Sequence, residues 1–217
     1  MNFANRLKLA AATMLLGCAQ AQAGLIVNGS FESDAIASSW APVSTVTGWS
    51  SSASGSSAFE IQRDVAHGGQ TGFNTHAADG VQYVELNTDR MTSIWQNVAT
   101  VAGASYSLSF AYAGRPDTAG QASSLMNVYW GGVKLTAAPL VGLTNDAWQY
   151  FTLSGLHASS ASTQLKFESV GPTSANTYGS YLDDVSVTRV VPEPGSLAIV
   201  ALGLCLIGAT ARRKPRA

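Results

Sequence analysis

The chain has 217 residues, of which 46% are hydrophobic and only 12% charged, with a formal net charge of −1. Its two cysteines, Cys18 and Cys205, lie near opposite ends, so the stretch between them has no internal disulfide, no thiolate metal site and no cysteine nucleophile. From Gly24 to Val191 six cations face twelve acids, a balance that excludes nucleic acid as a partner because phosphate binding needs a basic patch.

Residues 1–23 (MNFANRLKLAAATMLLGCAQAQA) read as a secretory signal peptide. Arg6 and Lys8 precede an apolar stretch, and Ala21-Gln22-Ala23 supplies the small residues of a cleavage site. Leu15-Leu16-Gly17-Cys18 also resembles a lipoprotein signal, which keeps lipidation of Cys18 open as an alternative anchor. The middle, residues 24–190, is the size of one ordinary domain.

No long helical period occurs in that middle; alternation with a period of two recurs instead. In chain order the predicted strands are Leu25–Phe31, Ala58–Gln62, Tyr83–Asn87, Ile94–Val101, Tyr106–Tyr112, Leu125–Trp130, Trp148–Leu153, Gln164–Glu168 and Tyr181–Thr188. Turn signals such as Asp79-Gly80, Ala102-Gly103, Gly131-Gly132 and Asn145-Asp146 separate them. About nine short strands with one apolar face each predict an all-β domain of two packed antiparallel sheets. Ser50–Ser57 and His67–His76 read as loops by composition.

The opening LIVNGSFE (Leu25–Glu32) and the closing YLDDVSV (Tyr181–Val187) resemble the ends of galactose-binding-like jelly-roll sandwiches, a class that includes many carbohydrate-binding modules. Gly48-Trp49, Phe59-Glu60-Ile61, DGVQYVELN (Asp79–Asn87) and Ile94–Pro116 resemble the choice-of-anchor branch of that fold. The resemblance implies a structural calcium bridging the first and last strands, with Glu32 and Asp183 as ligands. Calcium needs six to eight oxygens, and of the adjacent Asp183-Asp184 pair one at most faces such a site. The other reading of Asp183 is a carboxylate capping backbone N–H groups of a neighbouring loop.

Sugars pack their C–H faces on aromatic rings and need polar side chains beside them. The predicted ligand-binding residues are therefore Trp49 and Trp130, both next to loops, with Glu60 and Glu85 as polar partners. Glu60 and Glu85 are also the candidate pair for a glycan hydrolase, whose chemistry needs two carboxylates at a set separation across a cleft. No G-x-S-x-G, H-E-x-x-H or P-loop occurs, and His67, His76 and His157 read as isolated loop or edge histidines.

The C-terminus supplies the most specific pattern. Val191-Pro192-Glu193-Pro194 is followed by an uncharged run over 195–211 and a basic tail over 212–217 carrying Arg212, Arg213, Lys214 and Arg216. As a helix the run is about 25 Å long, a short transmembrane span, with its basic flank held in the cytoplasm. This tripartite order resembles the PEP-CTERM sorting signal. The resemblance implies a Gram-negative export route in which the membrane enzyme exosortase recognises the motif and removes the tail. The inner membrane is then a transient anchor, and the destination is the cell surface or an exopolysaccharide matrix; a permanent anchor is the alternative. The combined reading is a non-catalytic surface or matrix protein that binds extracellular polysaccharide, with a purely structural matrix protein and a glycan hydrolase as alternatives.

Overall fold

The chain from Gly24 to Val190 folds into two facing β-sheets, seen in a computed structural model that describes residues 24–64, 76–87, 90–116, 121–171 and 179–191. The predicted signal peptide, Pro192, Glu193 and Pro194 of the motif, and the expected span over 195–211 lie outside these residues. Among the described residues no helix is long and apolar enough to cross a membrane.

In chain order the strands are β1 (Trp40–Val43), β2 (Ser50–Ser51), β3 (Phe59–Arg63), β4 (Gln82–Leu86), β5 (Ser93–Ala99), β6 (Ser105–Gly114), β7 (Leu125–Trp130), β8 (Val133–Lys134), β9 (Leu140–Val141), β10 (Gln149–His157), β11 (Ser162–Ser169) and β12 (Ser180–Val190). The first sheet has the order β1-β3-β4-β12-β6-β10; the second has β2-β5-β11-β7-β8, with β9 also paired to β7. All pairings are antiparallel. From β4 onward the chain passes repeatedly between the sheets, as a jelly roll does, and these crossovers enclose the core.

The predicted alternation decides what fills that core. Tyr106, Leu108, Phe110 and Tyr112 of β6 point inward against Leu165 and Phe167 of β11 and Met126, Val128 and Trp130 of β7. Aromatic contacts run across the interior: Phe110 lies 5.2 Å from Phe167 and 5.3 Å from Phe151, and Trp49 lies 5.4 Å from Phe31. Burial of such rings dominates the stability of a domain with no disulfide.

Among the described residues nine strands are four residues or longer, the number expected, but the membership differs. Leu25–Phe31 is not a strand. Asn28 and Phe31 take φ values of 54° and 58°, which break extended backbone. The segment is held by side chains instead: Asp34 Oδ2 accepts Thr47 N–H at 2.7 Å and Asn28 Nδ2 at 3.1 Å. Trp40–Val43, which shows no distinguishing pattern, forms the edge strand β1. The Ser-rich loop contains β2 and a 3-10 turn at Gly55–Ser57.

Candidate functional site

The outer face of the first sheet is built by register. Across β1, β3, β4, β12 and β6, the residues Pro42, Glu60, Glu85, Tyr181 and Ala113 stand directly opposite one another in one row. A second row places Trp40 opposite Gln62 and Gln62 opposite Tyr83, and at the far side Asp183 opposite Ala111 and Ala111 opposite Tyr150. Their strand neighbours Ile61, Val84, Leu182 and Tyr112 point the other way, into the core.

A polar network occupies the centre of this face. Gln62 Nε2 donates to Glu60 Oε1 and Glu85 Oε2, both at 2.6 Å. Arg115 Nη1 lies 3.1 Å from each oxygen of Glu85, and Gly179 N–H donates to Glu85 Oε1 at 2.8 Å. Glu60, Gln62, Glu85 and Arg115 are all buried. Burial pushes the Glu85 carboxyl up from its ordinary value, against the opposing pull of Arg115, Gly179 and Gln62. The two acids thus do not stand exposed on their strands, nor do they face each other across an open cleft. One amide bridges them, and one of them is paired to an arginine.

Next to this network lies an aromatic cluster. Tyr83 and Tyr181 rings are 4.8 Å apart, and Trp148 is 5.5 Å from Tyr83 and 6.5 Å from Tyr181. Burial, with the nearby charge of Glu85, raises the Tyr83 hydroxyl well above its usual range. The indole N–H of Trp148 donates to the His76 carbonyl at 2.6 Å, and His76 Nδ1 lies 3.0 Å from Asp64 Oδ1. Tyr150 is two residues beyond Trp148, on the same side of the edge strand, and 68% exposed. Trp40, on the opposite edge of the sheet, is 43% exposed.

The predicted aromatics are elsewhere. Trp49 is 7% and Trp130 3% exposed, and both belong to the core. Each buries its ring and satisfies its indole N–H on a backbone carbonyl: Trp49 on Asn28 of the N-terminal segment at 3.0 Å, Trp130 on His157 at the end of β10 at 3.0 Å. Proximity to a loop in sequence therefore marks the anchoring of the indole and not its exposure. Trp148 and Tyr150 were visible in the sequence as an alternating strand start, but the edge position that exposes Tyr150 and the packing that half-buries Trp148 come from long-range pairing.

Glu32 and Asp183 meet at the turn before β4. Glu32 Oε1 accepts the N–H groups of Val81 and Gln82 at 2.7 and 2.6 Å. Asp183 Oδ2 accepts those of Ala78 and Asp79 at 2.8 and 3.0 Å, and Oδ1 that of Asp184 at 2.7 Å. Asp183 does not look into the core, although strict strand alternation would put it on one face with the core residue Val185. A bulge between Asp183 and Ser186 re-phases β12, leaving Asp183 on the outer face under the turn and Val185 inside. Among the described residues no three His, Cys, Asp or Glu side chains group as a metal site would require. As the oxygens stand, their neighbours are N–H dipoles whose positive ends disfavour a cation, so this donor set fits a capped turn and not a calcium sphere.

Residues 24–188 match the model of DUF642, described as a protein of unknown function. The chain belongs to the DUF642 family. Residues 190–214 of this DUF642 chain match the PEP-CTERM protein-sorting motif, which contains Val191, Pro192, Glu193 and Pro194. A comparison with curated proteins finds no match. Among solved structures, the DUF642 sandwich is similar to TmCBM61 in complex with β-1,4-galactotriose, at 15% identity and a TM-score of 0.51, over 77% of this chain and 99% of that one. It also aligns with the CBM22-1 xylan-binding domain of Paenibacillus barcinonensis Xyn10C at 14% identity and a TM-score of 0.46, over 79% and 99% of the two chains. The first likeness shows the fold: DUF642 here is a β-sandwich of the carbohydrate-binding-module type.

Proposed function

We propose that this protein is exported, sorted through its PEP-CTERM signal by exosortase in a Gram-negative cell, and binds extracellular polysaccharide through the outer face of its first sheet without cleaving it. The observation that carries this reading is Tyr150, exposed on the sheet edge two residues from the half-buried Trp148, with a pre-formed acid–amide–arginine network on the same face. Rings supply the flat apolar surface on which a sugar stacks, and a rigid polar base supplies orientation. His76, whose side chain is largely exposed against a buried Asp64, adds a hydrogen-bonding group at the rim. The hydrolase alternative is not favoured, because Gln62 occupies the space between Glu60 and Glu85 that a glycosidic bond and its water would need.

Binding to a panel of neutral polysaccharides (galactan, xylan and glucan), by affinity electrophoresis, tests this. Tyr150→Ala is expected to weaken binding about tenfold at an unchanged melting temperature, since the ring is exposed. Unaltered binding in Tyr150→Ala and Trp40→Ala chains would move the site off this face. The burial of Glu60, Glu85 and Arg115 favours a second reading, in which the network only ties loops to the sheet and the protein is a structural matrix component. Absence of binding to every polysaccharide of the panel would select it.

A further inference from the structure

The outer face of the second sheet carries a separate constellation. One row across β2, β5, β11, β7 and β8 sets Ser50, Trp95, Lys166, Tyr129 and Lys134 directly opposite one another. The next row sets Ser93 opposite Glu168 and Glu168 opposite Asn127. Lys166 Nζ lies 4.2 Å from the centre of the Tyr129 ring and 2.8 Å from Glu168 Oε1. The Tyr129 hydroxyl donates to Glu168 Oε2 at 2.5 Å. Burial alone would raise Glu168, but the hydrogen bonds from Lys166, Tyr129 and Asn127 outweigh it and hold the carboxyl below its usual range. These side chains brace one another into a fixed surface.

Against that surface opens a cavity of about 360 Å³, lined by Met91, Ser93, Asn127, Glu168, Ser169 and Gly171 among others. Asn127 is only 8% exposed, yet its Oδ1 has no hydrogen-bond partner among the described residues; the buried Oγ of Ser169 has none among them either. Buried acceptors in native proteins are almost always satisfied, and an unsatisfied one at a cavity wall calls for a donor from outside. Of the residues that line the cavity, Glu168 carries a partly exposed carboxylate, while Asn127 Oδ1 and the Ser169 hydroxyl are buried and unpartnered among the described residues, so a ligand that reaches them must mainly donate. A cationic ligand is opposed by Lys166 and an anionic one by Glu168. Neutral hydroxyl groups remain, and the rings of Tyr129 and Trp95 lie in the adjoining row for the C–H face of a sugar.

We propose that this face is a second binding site for a neutral glycan, on the side of the sandwich opposite Trp148 and Tyr150, so that one molecule bridges two polysaccharide strands. It shares the ligand class of the first site but does not rest on that site. Two sites facing away from each other turn modest single affinities into a cross-link.

Calorimetric titration of the protein with β-1,4-galactotriose, xylotriose and cellotriose tests it. Two equivalents of at least one sugar are expected for the unaltered chain, and one for Glu168→Gln. Asn127→Val, which removes both the orphan acceptor and the Nδ2 donor to Glu168, should lose the same equivalent while keeping a cooperative melting transition. Tyr150→Ala should remove the other equivalent only. If Glu168→Gln and Asn127→Val leave the stoichiometry unchanged, the second site is overturned and the first stands. If Tyr150→Ala and Trp40→Ala change nothing while Glu168→Gln abolishes binding, the first falls and this one stands. No binding of any of the three sugars overturns both.

Discussion

Asp183 concentrates the electrostatics of the molecule in one residue. Fully buried, it is pushed up to about 8, first by desolvation and then by the charge of Asp79, while the N–H groups of Asp79, Asp184 and Ala78 pull the other way. An acid whose folded pKa exceeds its unfolded value binds its proton more tightly when folded. Its contribution to stability is therefore fully present below about pH 4 and drains away as pH rises towards 8. The melting temperature is expected to fall between pH 5 and pH 8, and Asp183→Asn to flatten that slope. The same experiment tests the calcium implied by the sequence resemblance. With Glu32 and Asp183 engaged by five backbone N–H groups, chelator at pH 7 is expected to leave the melting temperature unchanged. A rise on adding millimolar calcium, with the pH slope reversed, would show that these carboxylates turn to a cation, which keeps an acid ionised.

At the scale of elements, the N-terminal segment shows how much of this fold lies in close approach and how little of that in pattern. Leu25 N–H donates to Val187 O at 3.1 Å and Val185 N–H to Gly29 O at 3.0 Å, so the segment runs along β12 without becoming a strand. A Cβ on Gly29 would sit 2.0 Å from the Val185 carbonyl oxygen. Gly29→Ala must push two backbones apart, and a loss of about 1–3 kcal/mol is expected, read as a drop of roughly 3–10 °C in the melting temperature. The Asn28-Gly29 pair reads as strand in the sequence because its neighbours Leu25, Ile26, Val27 and Phe31 are apolar. Asn28 at positive φ, and Gly29 against the bulge of β12, are demands that only the tertiary contact reveals. By contrast β6 and β7 were legible to within a residue or two, since their alternating apolar side chains meet the core, although Phe110–Gly114 of β6 are buried on both sides. β4 blurred the rule: Gln82–Leu86 is buried on both sides because loops cover its outer face. That covering also hid the fate of Glu60 and Glu85, whose positions on the outer face were readable but whose bridge through Gln62 depends on cross-strand register.

Over the whole molecule the junction between sandwich and sorting signal sets how the two operate together. β12 lies in the interior of the first sheet between β4 and β6, and it ends at Val190, paired with Ser105. The match to the sorting motif begins at that same residue. Only Val191 separates the last paired residue from Pro192, and proline has no N–H with which to continue a ladder. A protease acting at the motif must therefore work against the end of the folded domain. Val190 and Val191 are exposed and outside the core cluster, consistent with a clean separation. The chain ending at Pro194 is thus expected to melt at the same temperature as the longer one. Mass spectrometry of the exported protein is expected to find no peptide spanning Arg212–Ala217, and Pro192→Ala with Pro194→Ala to restore it. A retained basic tail on the extracellular form of the unaltered chain would instead make 195–211 a permanent anchor. It would also place the two proposed glycan faces at the membrane, where one molecule would tether polysaccharide to the cell and not join strands within a matrix.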